Sequence, residues 1–156
     1  MPSRREAIEM TPQELSAYLA GQRRIILITN GVGGLPHPMP MNYGIDAKGR
    51  IVIATFRKSQ KVKNLERDSR ATLLVESGEA YPELKSAILY CDTEIIGDAE
   101  GIAANMALVR AGDAMSGSLS AEMSDQVRAS LAKRVVLRFT PFRVVSWDHG
   151  KLGGVY

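Results

Sequence analysis

The chain has 156 residues, of which 45% are hydrophobic and 24% charged, the composition of an ordinary globular protein. We expect a single domain over residues 1–156, because a chain of this length buries a sufficient core without a disulfide or a metal. A net charge of +3 is too small to indicate a nucleic-acid-binding protein. The longest strongly apolar run, IILI, is far shorter than the roughly 20 residues that span a bilayer.

The compartment is predicted from the cysteine content and the first residues. Cys91 is the only cysteine, so no intramolecular disulfide can form, and we expect it to be a buried small apolar residue. The N-terminal stretch MPSRREAIEM has basic residues with no apolar segment behind them, so we do not expect it to be a secretory signal. We therefore expect a cytoplasmic protein that binds neither nucleic acid nor membrane.

The first elements are a helix and a strand. Thr11, Pro12 and Glu14 form the pattern of a capping box with proline at the first helical position, which predicts a helix to about Ala20, ending at Gly21. The run RRIILITN at 23–30 is rich in β-branched residues and is followed by glycines. It predicts a strand closed by a turn.

Three prolines alternate in the next extended segment, at positions 36, 38 and 40. In an extended chain alternate N–H groups point to the same edge, so all three prolines remove donors from one edge, and that edge cannot pair. One interpretation is protection of the edge against aggregation. The other is a margin left open for a flat ligand, with Met41 and Asn42 offering the next backbone groups.

A basic stretch, TFRKSQKVKNL at 55–65, follows the turn DAKG and the predicted strand RIVIATF. Ser59 is the predicted N-cap of a helix, and this places Lys61 in its first turn. Cations are unfavourable at a helix N-terminus, by about 0.3 to 1 kcal/mol each. The crowding of Arg57, Lys58, Lys61 and Lys63 at this point indicates an anion site such as one for phosphate; the alternative is a solvated basic face of a surface helix.

The rest of the chain is predicted as mostly β-structure with two helices. Strands are expected at ATLLVES and at SAILYCDTEIIG (86–97), and two more, KRVVLRFT and FRVVSWDH, hinged at Pro141. Between them we expect a helix over 99–111 that stops at Gly112, a Ser/Gly-rich loop at 115–119 and a second helix. The apolar stripes of the two helices predict core packing; they comprise Ile102, Met106 and Val109 in the first, and Met123, Val127 and Leu131 in the second.

Six or seven short strands joined mostly as hairpins predict a mainly β fold in which an antiparallel sheet closes on itself, and a small barrel is the simplest architecture. No spacing of His, Cys, Asp and Glu indicates a metal site.

Three stretches of the chain resemble a known family: TFRKSQKVKNLERDSRATLLVES, YPELKSAILYCDTEIIGD and the closing FRVVSWDHGKLGG. They are similar to the pyridoxamine 5′-phosphate oxidase-like FMN-binding split barrels, and the overall pattern is closest to the branch of flavin- and deazaflavin-dependent oxidoreductases. The resemblance runs from about residue 13 to 154, except for a helical insert at about 99–131. It implies a split β-barrel of six to seven antiparallel strands.

The resemblance also implies a coenzyme site at the interface of a homodimer. Thr55, Ser59 and Lys61 fall where the family binds the ribityl phosphate of FMN, and Arg57 lies where it can reach the phosphate or the ring. Residues 39–42, with Met41 and Asn42, match the strand whose backbone faces the isoalloxazine ring. Trp147 matches a tryptophan that contacts the coenzyme from the neighbouring subunit.

Two departures from the family pattern concern the substrate. Ser86 stands where the vitamin oxidases have a glutamine that hydrogen-bonds the flavin, and Lys151-Leu152-Gly153 stands where they hold the substrate phosphate with arginine and histidine. Oxidation of pyridoxine phosphate is therefore not expected. The expected function is hydride transfer to or from a small organic substrate with FMN, or alternatively a deazaflavin coenzyme. The other hypothesis is a carrier or storage protein that binds the coenzyme without turnover.

Overall fold

Seven antiparallel strands form one sheet, and five helices lie around it in the computed structural model, which describes residues 1–110 and 125–154. The strands are β1 (Arg24–Asn30), β2 (Pro36–Asn42), β3 (Gly44–Ile45), β4 (Ile51–Phe56), β5 (Arg70–Ser77), β6 (Lys85–Ile96) and β7 (Arg134–Asp148). The helices are α1 (Arg4–Ala7), α2 (Pro12–Gly21), α3 (Gln60–Arg67), α4 (Ala99–Arg110) and α5 (Asp125–Ala132). None of the helices in these two ranges is long and apolar enough to cross a membrane.

The sheet curls because its two ends share one stretch of chain. The strand order is β2-β1-β5-β6-β7-β4-β3. Only Tyr43 separates β2 at one end of this order from β3 at the other. A single extended segment therefore pairs with β1 through its first part and with β4 through its last. The predicted split barrel of six to seven strands is confirmed.

The barrel interior is filled by alternate residues of the strands. Ile25 and Leu27 of β1 and Leu73 of β5 are almost entirely buried, as the period of two predicts. Val62 and Leu65 lie on one face of α3, and this face packs against the same core. Cys91 is fully buried, and desolvation raises the pKa of its thiol to about 12, so the expectation of a buried small apolar residue is confirmed.

The C-terminal strand corrects one prediction. Two strands hinged at Pro141 were expected, but β7 runs unbroken from Arg134 to Asp148. In its pairing with β6 the register shifts, with Tyr90 opposite Arg143 and Cys91 opposite Pro141, so one residue of β7 is extra. Proline has no N–H and so cannot donate a hydrogen bond to a neighbouring strand. A β-bulge accepts a proline because the regular hydrogen bonding between the strands is already interrupted there.

The helices after β6 cover the outer face of the sheet. Ile102 and Met106 of α4 and Leu131 of α5 are buried in a second cluster with Val52 and Val136, so their predicted core packing is confirmed. Val109 packs against the same cluster. The predicted stop at Gly112, the loop at 115–119 and Met123 lie outside the described residues, as does the side chain of Val127.

Candidate functional site

A tight turn connects β4 to α3 and sets the position of Ser59. The Ser59 N–H donates to the Phe56 carbonyl (3.1 Å), and the Arg57 N–H donates to the Lys133 carbonyl (2.8 Å). Ser59 has extended backbone angles (φ −68°, ψ 153°) and occupies the predicted N-cap position of α3. Its hydroxyl does not cap the helix, however, and its buried Oγ has no hydrogen-bond partner among the described residues.

Lys61 is buried in the first turn of α3. The residue is only 9% exposed, which is rare for a lysine without a partner. In the described part of the chain, its ammonium group takes part in no ion pair and no hydrogen bond. Burial lowers the pKa of Lys61, because water no longer solvates the charged form. Because a lysine with so little exposed surface has no counter-charge among the described residues, this position suits an anion that arrives from outside the chain.

The remaining cations of the stretch surround Lys61 and are exposed. Lys58 and Lys63 project into solvent, and among the described residues neither forms an ion pair. The Arg57 guanidinium donates to the carbonyls of Gly97 (2.8 Å) and Arg134 (3.3 Å). Arg57 is therefore attached to the ends of β6 and β7, and its charge contributes to the field at α3 from that side.

The backbone at the start of α3 adds donors to this field. The first intrahelical bond of the turn runs from the Lys63 N–H to the Ser59 carbonyl, so the N–H groups of residues 60–62 have no intrahelical partner. Thr55 lies at the end of β4, opposite Val135, and is buried. The structure thus brings Thr55, Ser59 and Lys61 to one turn, where hydroxyls, free N–H groups and an ammonium group all favour an anion.

The free margin of β2 is the second feature of this end of the barrel. Among the strands at 1–110 and 125–154, β2 pairs with β1 alone, so its other margin has no strand partner in that part of the chain. The three prolines are exposed, and since proline has no N–H, they offer this margin only carbonyl groups. Met41 is half-buried against the core, and Asn42 is exposed at the end of the strand.

Ser86 and Trp147 lie at the other end of the β6–β7 ribbon and face each other across it. Ser86 is buried and its hydroxyl donates to the Val75 carbonyl (2.8 Å). Trp147 is half-buried and lines a cleft of about 410 Å³ together with Tyr81 and His149. Arg57 contacts Gly97, just beyond the opposite end of β6. One chain therefore does not bring Ser86 and Trp147 together with the turn that holds Lys61.

A polar group beside the turn was missed by sequence reasoning. Asn64 is fully buried, donates to the Thr29 hydroxyl (3.0 Å) and accepts from the Gln60 amide (2.9 Å). Gln60, Asn64 and His37 line a cleft of about 340 Å³ between β2 and α3. The spacing of Gln60 and Asn64 on one helix face is visible in the sequence, but the strand that faces them is set only by the sheet register.

The comparisons with known proteins place these features in a family. The model of the pyridoxamine 5′-phosphate oxidase family matches residues 11–148, which include β4, α3 and all of β7. No curated protein sequence matches the chain.

Solved structures share the fold over nearly the whole chain. A conserved hypothetical protein from Mycobacterium tuberculosis is 30% identical, with a TM-score of 0.81 over 99% of this chain and 95% of that one. A FAD-binding protein from Mesorhizobium loti is 15% identical, with a TM-score of 0.65 over 88% and 93% of the two chains. A protein named F420 reductase is 19% identical, with a TM-score of 0.59 over 92% and 98%.

Proposed function

Since the chain belongs to the pyridoxamine 5′-phosphate oxidase family, we propose that it is an oxidoreductase that holds a phosphorylated flavin-type coenzyme at the β4–α3 turn. FMN is the first candidate and a deazaflavin coenzyme the alternative. The observation that carries this proposal is Lys61, a buried lysine in the first turn of a helix with no counter-charge in the described chain.

The turn fits a phosphate in charge and in hydrogen bonding. The Lys61 ammonium group and the free N–H groups of α3 would bind its oxygens. The Ser59 hydroxyl, which has no partner in the described part of the chain, would donate to it. Hydrogen bonds to a charged group contribute about 1.5 to 3 kcal/mol each, so a few of them account for micromolar binding or better. Thr55 would close the site from the end of β4.

The coenzyme supplies the hydride chemistry when it is bound, and the protein contributes position and the exclusion of water. We propose that the ring lies along the free margin of β2, with the proline carbonyls and the backbone of Asn42 facing it and Met41 next to it in the strand. Arg57 adds positive charge nearby without leaving its contacts to Gly97 and Arg134. This charge would favour the anionic reduced form of a flavin.

A second copy of the chain is part of the proposal. Trp147 lies at the far end of the β6–β7 ribbon from the β4–α3 turn, so within one chain it is remote from the phosphate site. In a homodimer, the Trp147 side chain of one copy can contact the coenzyme held by the other. Such an arrangement gives two sites per dimer, each completed by residues of both copies.

The substrate is proposed to be a small organic molecule other than pyridoxine phosphate. Lys151, the cation nearest the position where the oxidases hold the substrate phosphate, is already engaged with the Glu9 carbonyl (2.7 Å) and the Glu14 carboxylate (2.6 Å). The Ser86 hydroxyl is likewise committed to the Val75 carbonyl. Neither residue is available for the role its position has in the vitamin oxidases.

FMN and a deazaflavin coenzyme are both candidates for this site. The neighbours named FAD-binding protein and F420 reductase share the fold, and F420 is a deazaflavin. A deazaflavin coenzyme has an acidic tail beyond its phosphate, which exposed cations such as Lys58 and Lys63 would favour.

Mass spectrometry of the ligand released from the purified protein, followed by calorimetric titration of the stripped protein with FMN and with F420, tests the proposal. We expect one of the two to bind in the micromolar range or tighter. Failure of both to bind would refute it. Turnover with a nicotinamide or deazaflavin donor and a dye acceptor then separates an enzyme from a carrier, because a carrier binds the coenzyme and shows no turnover.

A further inference from the structure

Four buried polar side-chain atoms have no hydrogen-bond partner among the described residues: the Ser59 Oγ, the His37 Nδ1, the Thr93 Oγ1 and the Arg134 Nε. Ser59 is at the N-cap position of α3, and His37 lines the cleft between β2 and α3. Such atoms are uncommon in folded proteins, because a buried polar atom without a partner is destabilising. The proposed phosphate site explains Ser59. It does not explain the unpartnered Nδ1 of His37, which lies on β2.

The position of His37 is set by the register of β1 and β2. His37 lies directly opposite Thr29, whose hydroxyl accepts from Asn64 of α3. His37 is half-buried while Pro36 and Pro38 on either side are exposed, so its ring is on the face of β2 that turns toward α3. His37 and Gln60 line the same cleft, and Gln60 directly follows Ser59.

The surroundings of the ring favour an anion. The residues that line this cleft include no aspartate and no glutamate, and Lys61 is the next residue of α3. The side chains of Gln60, Asn64 and Thr29 are already linked to one another. Among the described residues that line this cleft, His37 alone has a buried side-chain nitrogen or oxygen atom without a partner, its Nδ1.

We infer that His37 is a further phosphate-binding residue, whose Nδ1–H donates to the coenzyme phosphate from the β2 side while Ser59 and Lys61 hold it from the α3 side. This inference rests on the proposed coenzyme site. It makes the phosphate a bridge between β2 and α3, whereas the Asn64 and Thr29 hydrogen bond attaches α3 to β1. A ligand without the phosphate gains nothing from His37.

The test compares ligands with and without the phosphate in three proteins: the wild type, His37→Phe and His37→Asn. The phenylalanine keeps a planar ring but has no nitrogen, whereas the asparagine amide can donate from near the position of Nδ1. The ligands are FMN and riboflavin, or F420 and the deazariboflavin that lacks its phosphate-bearing tail. Calorimetry gives the dissociation constants, and the melting temperature of each ligand-free protein is measured in parallel.

We expect His37→Phe to weaken FMN binding by about tenfold or more, with riboflavin affinity unchanged within about twofold. His37→Asn should recover most of the loss. The melting temperature of ligand-free His37→Phe should not fall, because Nδ1 has no partner in the described chain to lose.

Three results would overturn the inference: an unchanged FMN affinity in His37→Phe, an equal loss for FMN and riboflavin, or a clear fall in the melting temperature of the ligand-free variant, which would show a structural role. If the wild type binds neither FMN nor F420, the proposed function itself fails at the first titration, and the inference fails with it. A wild type that binds FMN tightly beside a His37→Phe variant that binds equally well refutes the inference alone.

Discussion

Lys61 combines two features that are unfavourable in a protein without its ligand. The residue is only 9% exposed, and it lies in the positive field of a helix N-terminus. A methionine of similar length at this position would keep the packing and remove both effects. The lysine is therefore best explained by a bound anion.

The pH dependence of stability provides a test at Lys61. Because burial lowers its pKa in the folded protein below the reference value of 10.5, the unfolded chain binds more protons in the interval between the two values. In that interval the free energy of unfolding of the coenzyme-free protein rises with pH. We expect Lys61→Met to be more stable than the wild type at neutral pH, and the difference to shrink as the pH approaches 10.5.

Urea unfolding of the two proteins at several pH values measures this difference. Lys63→Met, which changes an exposed lysine of the same helix, should give no comparable pH-dependent gain. A Lys61→Met protein that is less stable than the wild type at every pH would show that the ammonium group has a stabilising partner.

At this scale the sequence predicts the charges but not their burial. Four cations in seven positions are visible in the sequence, and so is the N-cap position of Ser59. Which of the lysines is buried depends on how α3 is rotated against β1. The absence of a cap bond from Ser59 depends on its rotamer. Neither follows from local residue patterns.

The two longest helices of the N-terminal half differ in how they begin. At α2 the Thr11 hydroxyl accepts from the Glu14 N–H (3.2 Å) and the Glu14 carboxylate accepts from the Thr11 N–H (2.7 Å), as the capping box predicts. At α3 the Ser59 hydroxyl makes no such bond. The contrast supports the proposal that the Ser59 hydroxyl binds the coenzyme phosphate.

Alanine substitutions at the two caps test this contrast. Thr11→Ala should lower the free energy of unfolding by about 1 kcal/mol, the usual effect of removing a helix cap. Ser59→Ala should change the stability of the coenzyme-free protein by less than about 0.5 kcal/mol but weaken FMN binding. Chemical denaturation and FMN titration provide the two measurements. Equal losses of stability at the two sites would mean that Ser59 caps α3 in solution.

Element boundaries follow closely from the sequence where caps and turns mark them. The helix predicted from Thr11 and the strand predicted from residue 23 are found at 12–21 and 24–30. The hinge predicted at Pro141 is wrong because proline ends a regular ladder but is accepted at a bulge. Whether a bulge forms is decided by the partner strand, and its register is not visible in β7 alone.

The closed sheet determines which residues can form a site together. Tyr43 joins the two ends of the strand order, and its hydroxyl donates to the Leu19 carbonyl, which attaches this junction to α2. The curled sheet places β2 beside α3. Trp147 lies at the end of the β6–β7 pair that is remote from the β4–α3 turn. The family resemblance predicts that Trp147 contacts the coenzyme of the neighbouring subunit, and within one chain Trp147 is remote from the turn that holds Lys61.

Mixed dimers test the proposed assignment of Trp147 to the site of the second copy. Lys61→Ala and Trp147→Leu homodimers should each bind FMN weakly. In a mixed dimer one site has both substitutions and the other has neither. We therefore expect mixing the two variants to restore tight binding to about one site for each mixed dimer.

Differently tagged copies allow the mixed dimers to be purified and titrated. A mixture of Lys61→Ala and Lys63→Ala homodimers serves as the control for subunit exchange. Failure to recover any tight site, although mixed dimers form, would place Trp147 outside the coenzyme site. A protein that is monomeric at all concentrations would refute the dimer itself.

The affinity of the stripped protein for FMN and F420, measured by calorimetry in the wild type and in Lys61→Ala, tests the central claim most directly. We predict that one of the two coenzymes binds and that Lys61→Ala weakens its binding by about 1.5 to 3 kcal/mol, the contribution of a hydrogen bond to a charged group. The exposed neighbour Lys63→Ala should have a much smaller effect. An unchanged affinity in Lys61→Ala, or no binding of either coenzyme to the wild type, would contradict the account.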